Sequence, residues 1–532
     1  MDVLLYSAAA VRANALGALP YEAAWIEKGP AAMGLFQALF ALFGAYNFAA
    51  LAGAWLALTL TTAALVGSLA EEIGPPGAGG WAAALFVVSI GAIGGTLNSE
   101  IPAAAAAAGS LAAWFRSHRS ASPSGAILWT GLAGLLAGVA FLCRQNAGAL
   151  LPILLVAEAW RALRGASCFR IAAARAAAFA GSFVALAAGT VAIYAARGSL
   201  GSFAFCFYTY NRDIYVAATR VDAARLLRSP LVAAENFLLP IRTAAVAGFA
   251  GIVLAIAGFR RGASGRGPAR EPALVVVAVA AGLTASLFVG LRLFTHYFAL
   301  VLPFWTALGG AGVATLAGAG GAGPLVADSS REPGFSRRAV RRLTARRIAV
   351  AGVLAISLLV ELRGRGIVSS ARMFVRLART GWAAFSDPVR WPGADANCAE
   401  AAAFIRRNST PEDRVFVWGM RPHVLAYAGR VQATRFTTST FLAGLVPWER
   451  SAPEEDTTRW IVPGSWDLLA SDLAAEKPRF IVDASMDHLF GMGAYAPDRF
   501  PVLAGFLNRG YERAFETGEG DRLVVWRRKT PP

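Results

Sequence analysis

Residues 134–152, GLLAGVAFLCRQNAGALLP, contain the pattern on which the fold depends. An apolar stretch rich in small residues ends at Arg144, Gln145 and Asn146, and a second apolar stretch follows at once. A helix of about 20 apolar residues is long enough to cross a bilayer. The pattern therefore predicts two membrane helices joined by a short polar turn at the membrane surface.

Similar apolar runs occur along most of the chain. It has 532 residues, of which 56% are hydrophobic and 16% charged, whereas about a quarter of the residues of a soluble domain are charged. These proportions predict a polytopic α-helical membrane protein with about ten transmembrane helices. The runs fall at about 46–69, 79–97, 101–115, 125–143, 147–160, 173–196, 242–258, 271–291, 296–318 and 347–363.

Positive charge is concentrated in four clusters between these runs. The net charge is +17, and if the runs alternate across the membrane, all four clusters lie on one side. The positive-inside rule makes that side cytoplasmic. The basicity therefore describes topology and gives no indication of a nucleic-acid partner. The clusters are residues 116–119, 161–170, 260–270 and 337–347.

The chain changes character near residue 390, where charged residues become common and apolar runs become short. Alternating helical patterns and short apolar strands predict a small α/β domain on the outer face of the membrane. The predicted division is an outer catalytic loop with a juxtamembrane helix (1–45), a transmembrane helical domain (46–363), a linker (364–389) and an extracytoplasmic α/β domain (390–532). Within the second part, residues 319–346 form a cytoplasmic linker.

Polar residues gather at the outer ends of the predicted helices. Charged residues at membrane level are costly and usually have a function. A carboxylate there can take a proton from an acceptor hydroxyl, and cations can hold a phosphate leaving group. The residues are Asp2, Arg12, Glu22, Glu27, Lys28, Asn98, Ser99, Glu100, Arg144, Gln145, Asn146, Arg212, Asp213, Arg292, His296 and Tyr297.

Each of these residues also has an ordinary structural interpretation. The two arginines Arg144 and Arg292 could snorkel to the interface, and Glu27 with Lys28 could be a solvated pair. Glu100 could cap the following helix, and His296 with Tyr297 could belong to an interfacial aromatic belt. Four scattered histidines and four cysteines without a CxxC pair give no metal signature, although the acids could hold a divalent cation.

The first loop contains the patterns D-x-x-x-Y, G-x-x-P-Y and E-K-G-P between residues 2 and 30, and polar junctions follow it in a fixed order. This order of motifs resembles the GT-C membrane glycosyltransferases, in particular the bacterial branch near protein O-mannosyltransferases and aminoarabinose transferases. Three later segments resemble further parts of that family: NSEIP (98–102), HYFALVLPFWTAL (296–308) and DRVFVWGMRPHVLAYAGRVQATRF (413–436). The resemblance covers nearly the whole chain. The first-loop pattern reads Asp2, Tyr6, Gly17, Pro20, Tyr21, Glu27, Lys28, Gly29 and Pro30.

The resemblance implies a function at the outer face of the bacterial inner (plasma) membrane. An inverting transferase would move a sugar from a polyprenyl-phosphate donor to a lipid, glycan or protein acceptor, with Asp2 as general base and Glu100 as a second carboxylate. Lys28, Arg144 and His296 would hold the donor phosphate. The other predicted substrate-binding residues are Tyr6, Tyr21, Glu27, Gln145, Asn146, Arg212, Asp213 and Tyr297.

Two features differ from the family pattern. The family often has Asp-Glu where this chain has Asp2-Val3, and family members carry a membrane helix before that Asp. Either the start codon is assigned too late, or the chain is truncated, or the protein works without that helix. We expect the first, with the helix encoded upstream of Met1. Two alternative functions stay open: a transporter or flippase of lipid-linked sugars, and a membrane-anchored ligand-binding protein.

Overall fold

The computed structural model describes residues 2–93, 96–218, 248, 270–288, 294–318, 387, 389, 395–445, 456–486, 489–518 and 522–529. Apart from residue 248, the predicted run at 242–258 lies outside these residues. The run at 347–363, the 319–346 linker, most of the 364–389 linker and Arg292 also lie outside them. The number of membrane spans therefore stays a prediction.

The described helices agree closely with the apolar runs. Four of them are long and apolar enough to cross a membrane: Phe48–Ile73, Pro123–Cys143, Gln145–Leu163 (whose first turn is 3-10) and Phe169–Ala196. The membrane part consists of α3 (Pro30–Phe43), α4 (Phe48–Ile73), α5 (Ala78–Ile93), α6 (Glu100–Arg119), α7 (Pro123–Cys143), α8 (Leu150–Leu163), α9 (Phe169–Ala196), Arg270–Leu287 and Leu302–Gly318.

The beginning of the chain differs from the prediction. Residues 1–45 were expected to be a polar loop with one juxtamembrane helix, but Asp2–Leu16 forms helix α1, and Pro20–Ala23 forms the short helix α2. The interior of α1 is a run of alanine and valine buried against its neighbours. The loop prediction is wrong because alanine has the highest helix propensity and outweighs the few polar residues. The predicted juxtamembrane helix is present as α3.

Residues 197–241 were also predicted to be a loop. The described part of this segment is mostly helical: α10 (Leu200–Ala204) leads into two π-helical turns, Phe205–Thr209 and Asn211–Tyr215. π-helical turns are rare in proteins, and those that occur often lie near functional sites. The second of them ends at Tyr215, whose side chain is buried.

Helix α6 runs through the centre of the helical part, and nearly all its side chains are buried. Its 20 residues rise about 30 Å, the thickness of the hydrocarbon core. Glu100 and Arg119 therefore lie at opposite ends of the helix, about 30 Å apart. Beside it, α7 packs closely on α9, since a Cβ at Gly134 would collide with the carbonyl oxygen of Phe179. Small residues allow such close approach between membrane helices.

The C-terminal residues form an α/β domain around a five-stranded sheet. Strands β1 (Arg414–Trp418), β2 (Val431–Gln432), β3 (Phe480–Asp483), β4 (Tyr511–Glu516) and β5 (Val524–Arg528) lie in the order β2-β1-β3-β5-β4. The first three are parallel, and β5 pairs antiparallel with β3 and β4. The predicted strands are confirmed as β1, β3 and β5. The edge strands β2 and β4 were not predicted, because one is very short and the other mostly polar.

The domain's principal helices were predicted from the sequence and lie at Ala396–Arg407, His423–Ala428, Ser465–Glu476 and Pro501–Gly510. The domain is fixed to the first two helices of the chain. Arg12 donates hydrogen bonds to the carbonyl oxygens of Ala23, Gln432 and Ala433 at 2.6–2.8 Å. The backbone N–H of Trp25 donates to the carbonyl of Arg435 at 2.8 Å. Arg12 is therefore a structural link between the two parts of the chain.

Candidate functional site

The segment Glu27-Lys28-Gly29 is held against the end of α7. A Cβ at Gly29 would collide with the carbonyl oxygens of Leu142 and Cys143, so only glycine permits this approach. The hydroxyl of Tyr21 donates to the carbonyl of Lys28. Lys28 is buried, and its Nζ lies 3.3 Å from Glu27 Oε1. The pair is therefore fixed by packing and is not a solvated surface pair.

Glu100 and Arg144 meet beside this segment. Arg144 Nε lies 3.2 Å from Glu100 Oε1, out of line for a hydrogen bond, so the contact is an ion pair. The guanidinium also stacks on Tyr297, with its Cζ 3.9 Å from the ring centre. The helix cap is made by Asn98, whose Oδ1 accepts from the N–H of Ile101. Glu100 is thus available to hold Arg144.

Asp2 and His296 form the other charged pair of the site. His296 Nε2 lies 3.6 Å from Asp2 Oδ2, and both side chains are about a quarter exposed. Burial alone would raise the pKa of Asp2, but the neighbouring charges, led by Lys28 and His296, outweigh it and lower the pKa from its ordinary value. Asp2 is therefore an ionised carboxylate at neutral pH.

Two cavities meet in this region. The smaller, with a cavity volume of about 40 Å³, is lined by Asp2, His296 and Lys28, and by residues of the C-terminal domain. The larger, with a cavity volume of about 360 Å³, is lined by Lys28 and by Arg144, Gln145 and Asn146 at the end of α7. We call them the acid chamber and the arginine chamber. Four residues line both: Glu27, Lys28, Tyr215 and Tyr297.

Tyr215, Tyr297 and Lys28 lie where the two chambers meet. The hydroxyls of Tyr215 and Tyr297 lie 3.3 Å apart, and Lys28 Nζ lies 5.9 Å from the ring centre of Tyr215. Lys28 is the cation that both chambers share among the described residues. A ligand that reached from one chamber into the other would pass its ammonium group.

The structure does not bring every predicted residue to the chambers. The ring of Tyr6 packs edge-on against the ring of Phe36. The hydroxyl of Tyr21 donates a hydrogen bond to the carbonyl oxygen of Lys28. Arg212 and Asp213 are exposed, pair with each other and line neither chamber. Their role in substrate binding stays a prediction. The π-helical turn points this pair outward and Tyr215 inward.

Sequence reasoning missed several lining residues. Tyr215 lies in the segment FYTYNRDIY (207–215), where the charged pair seemed more informative than the last tyrosine. Met420, Thr438 and Thr440 come from the C-terminal domain, and the run Thr-Thr-Ser-Thr at 437–440 was the one sequence signal for them. Among the described residues, no group of three His, Cys, Asp or Glu side chains could hold a metal ion. The divalent cation stays a prediction.

Fold and site together define a polytopic helical membrane protein in which an α/β domain covers a charged double cavity at one end of the helices. No protein-family profile and no curated protein sequence matches the chain. Solved structures do match it over nearly its whole length.

The chain is similar to ArnT from Cupriavidus metallidurans in the apo state, with 16% identity and a TM-score of 0.52, over 99% of this chain and 93% of that one. ArnT bound to undecaprenyl phosphate matches over the same shares, with 17% identity and a TM-score of 0.51. The apo oligosaccharyltransferase of Archaeoglobus fulgidus matches at 15% identity and a TM-score of 0.48, over 96% of this chain and 69% of that one. The chain has the GT-C fold, as the sequence resemblance predicted.

Proposed function

We propose that this protein is a glycosyltransferase that moves a sugar from a polyprenyl-phosphate donor to an acceptor hydroxyl. The single observation that supports it best is the position of Lys28 between a chamber with a carboxylate and a chamber with an arginine. The similar ArnT was solved with undecaprenyl phosphate bound, which fits a donor of this class. The acid chamber would take the acceptor and the arginine chamber the donor.

In the proposed reaction, the acceptor oxygen attacks the anomeric carbon of the donor sugar. Asp2 accepts the hydroxyl proton, the bond from the anomeric carbon to the phosphate oxygen breaks, and polyprenyl phosphate leaves with the electron pair. Attack from the side opposite the phosphate inverts the anomeric centre. Lys28 and Arg144 stabilise the charge that develops on the phosphate. Glu100 holds Arg144 in place.

The proposed location is the bacterial inner membrane, with the chambers and the α/β domain on the outer face. The alternative of a transporter would favour charged groups near the middle of the spans. In the part of the chain that the structure describes, the site charges lie at helix ends, with Glu100 in the first turn of α6 and Arg144 directly after α7. This placement favours an enzyme.

The test is a transfer assay with Asp2→Asn. Purified protein is incubated with a panel of labelled polyprenyl-phosphate sugars, and release of polyprenyl phosphate is measured. Loss of a general base is expected to reduce the rate by about 10²–10⁴-fold, while membrane insertion stays normal because the side-chain shape is unchanged. Asp467→Asn, an exposed position in the α/β domain, is the matched control. Equal rates for Asp2→Asn and wild type would contradict the assignment.

A further inference from the structure

The α/β domain forms one wall of the acid chamber. Met420, Thr438 and Thr440 line that chamber opposite Asp2 and Lys28. Met420 follows β1 closely, at the carboxyl end of a parallel strand in the middle of the sheet. Ligands of α/β sheets bind at the carboxyl ends of the parallel strands. The domain therefore faces the chamber with the edge that such sheets use for binding.

The loop that carries the two threonines is fixed at this edge. The N–H of Gly419 donates to Ser439 Oγ at 2.6 Å, and the N–H of Ser439 donates to the carbonyl of Gly419 at 3.2 Å. Gly419 has φ +121°, and a Cβ there would lie 3.0 Å from the Cβ of Ala484. A glycine is needed for the turn, and the turn holds residues 437–440 against the chamber.

The threonines offer a paired hydroxyl group to the chamber. Thr438 Oγ1 and Thr440 Oγ1 lie 2.9 Å apart, and both side chains are buried. One hydroxyl proton lies between the two oxygens, so the second proton and the remaining lone pairs can serve a bound molecule. A pair that both donates and accepts suits a ligand that also does both, which is the property of a hydroxyl group.

The net charge of the acid chamber also favours a neutral hydroxyl-bearing ligand. Its lining contains two carboxylates, Asp2 and Glu27, one ammonium group, Lys28, and the imidazole of His296. The formal net charge of these groups is −1 with a neutral imidazole and 0 with a protonated one. A chamber without excess positive charge disfavours a second phosphate beside the donor. A neutral group meets no such penalty.

We propose that Thr438 and Thr440 position the acceptor, and that its reacting end is a neutral, hydroxyl-rich group such as a sugar ring or polyol. The proposal rests on the proposed function and names the acceptor class. The threonines hold a neighbouring hydroxyl of the acceptor, the reacting oxygen gives its proton to Asp2 and bonds to the anomeric carbon, and polyprenyl phosphate leaves with the electrons of the broken bond. The threonines are positioning residues and take no part in bond exchange.

The experiment uses the whole protein in lipid nanodiscs with n-octyl β-D-glucoside and n-octyl phosphate, below their micellar concentrations, as acceptor probes. The double variant Thr438→Val/Thr440→Val is compared with Thr437→Val, which is buried in the same loop, does not line the chamber and has a hydroxyl without a described hydrogen-bond partner. Loss of two hydrogen bonds should raise the KM for the glucoside roughly 30-fold. The KM for the donor and the rate of donor hydrolysis by water should not change. Thr438→Ser/Thr440→Ser, which keeps both hydroxyls, should stay near the wild-type KM.

The outcomes separate this inference from the proposed function. If wild-type protein consumes no polyprenyl-phosphate sugar, the proposed function fails. If it consumes the donor but glycosylates octyl phosphate in preference to the glucoside, or glycosylates neither probe, the acceptor class is wrong. If the valine double variant keeps the wild-type KM for the glucoside, or loses donor hydrolysis equally, the threonines have only a structural role.

Discussion

Helix α6 carries buried charge at both ends, and the two ends differ in what surrounds them. At one end Glu100 pairs with Arg144 at 3.2 Å. At the other, His118 Nε2 lies 2.9 Å from Glu158 Oε1, and both side chains are buried. By charge and burial alone the two pairs look equally suited to a site.

The two pairs differ in whether a described chamber lies beside them. Arg144 lines the arginine chamber, whereas neither His118 nor Glu158 lines either chamber. The His118 pair is closed in by Trp114, whose ring centre lies 4.1 Å from that of the imidazole, and its Nδ1 contacts the Trp114 carbonyl oxygen at 2.8 Å. Convergence of charge at a membrane surface therefore does not define a site by itself. A site also needs room for a ligand beside the charges.

The strongest way to test this difference is to remove one carboxylate from each end. Glu100→Gln leaves the Arg144 guanidinium buried without its partner, which should cost about 3 kcal/mol of stability. Since Arg144 also borders the proposed donor site, transfer should fall roughly 100-fold. Glu158→Gln weakens one buried contact to His118, which should cost about 1 kcal/mol, and should leave transfer within about twofold. Thermal unfolding in detergent and the transfer assay measure both quantities. A larger loss of transfer in Glu158→Gln would overturn the comparison.

A second prediction concerns the approach of Lys28 to the site. Gly29→Ala would push the segment away from the carbonyl oxygens of Leu142 and Cys143 and move the Lys28 ammonium group. Misplacement by about 1 Å can cost up to about 10²-fold, and we expect at least a tenfold rise in the KM for the donor. Gly34→Ala in α3 has open space around its Cβ and is the control. If the two variants have the same donor KM, packing at Gly29 does not set the position of Lys28.

The smallest expected effect is on the pH profile. Because the pKa of Asp2 is lowered from its ordinary value by the neighbouring Lys28 and His296, the carboxylate stays ionised as the pH falls from 7 to 5. Asp2 itself should therefore cause no loss of kcat/KM in this range. The His296→Gln variant removes the neighbouring imidazole titration, and its remaining activity should be flat between pH 7 and 5. If kcat/KM of that variant fell with an apparent pKa near 6, the general base could not be the ionised Asp2 carboxylate described above.

Most of the helical part could be predicted because its signal is local. A run of apolar residues of bilayer length, such as 125–143, marks a helix whatever its neighbours do, and it was found as Pro123–Cys143. The turn after it was also predicted, since Arg144 interrupts two apolar stretches. The strands Arg414–Trp418 and Phe480–Asp483 were recognisable for the same reason, because short buried apolar runs are typical of parallel strands.

What could not be predicted depends on contacts between distant segments. Nothing local indicates that Thr438 faces Asp2, because that contact requires the α/β domain to be fixed on α1 by Arg12. Arg212 and Asp213 were chosen by residue type, and the π-helical turn places them outside. The start of the chain was interpreted as a loop from its scattered polar residues, although its alanines favour the helix that forms.

The proposed reaction requires a polyprenyl phosphate to bind where the two chambers meet. The most direct test is a cryo-EM structure of the protein with undecaprenyl phosphate. We predict that the phosphate lies within hydrogen-bond distance of Lys28 Nζ and of the Arg144 guanidinium, with the lipid chain leaving through the arginine chamber. A phosphate bound instead at the His118 end of α6, beside Arg161 or Arg175, would contradict the claim.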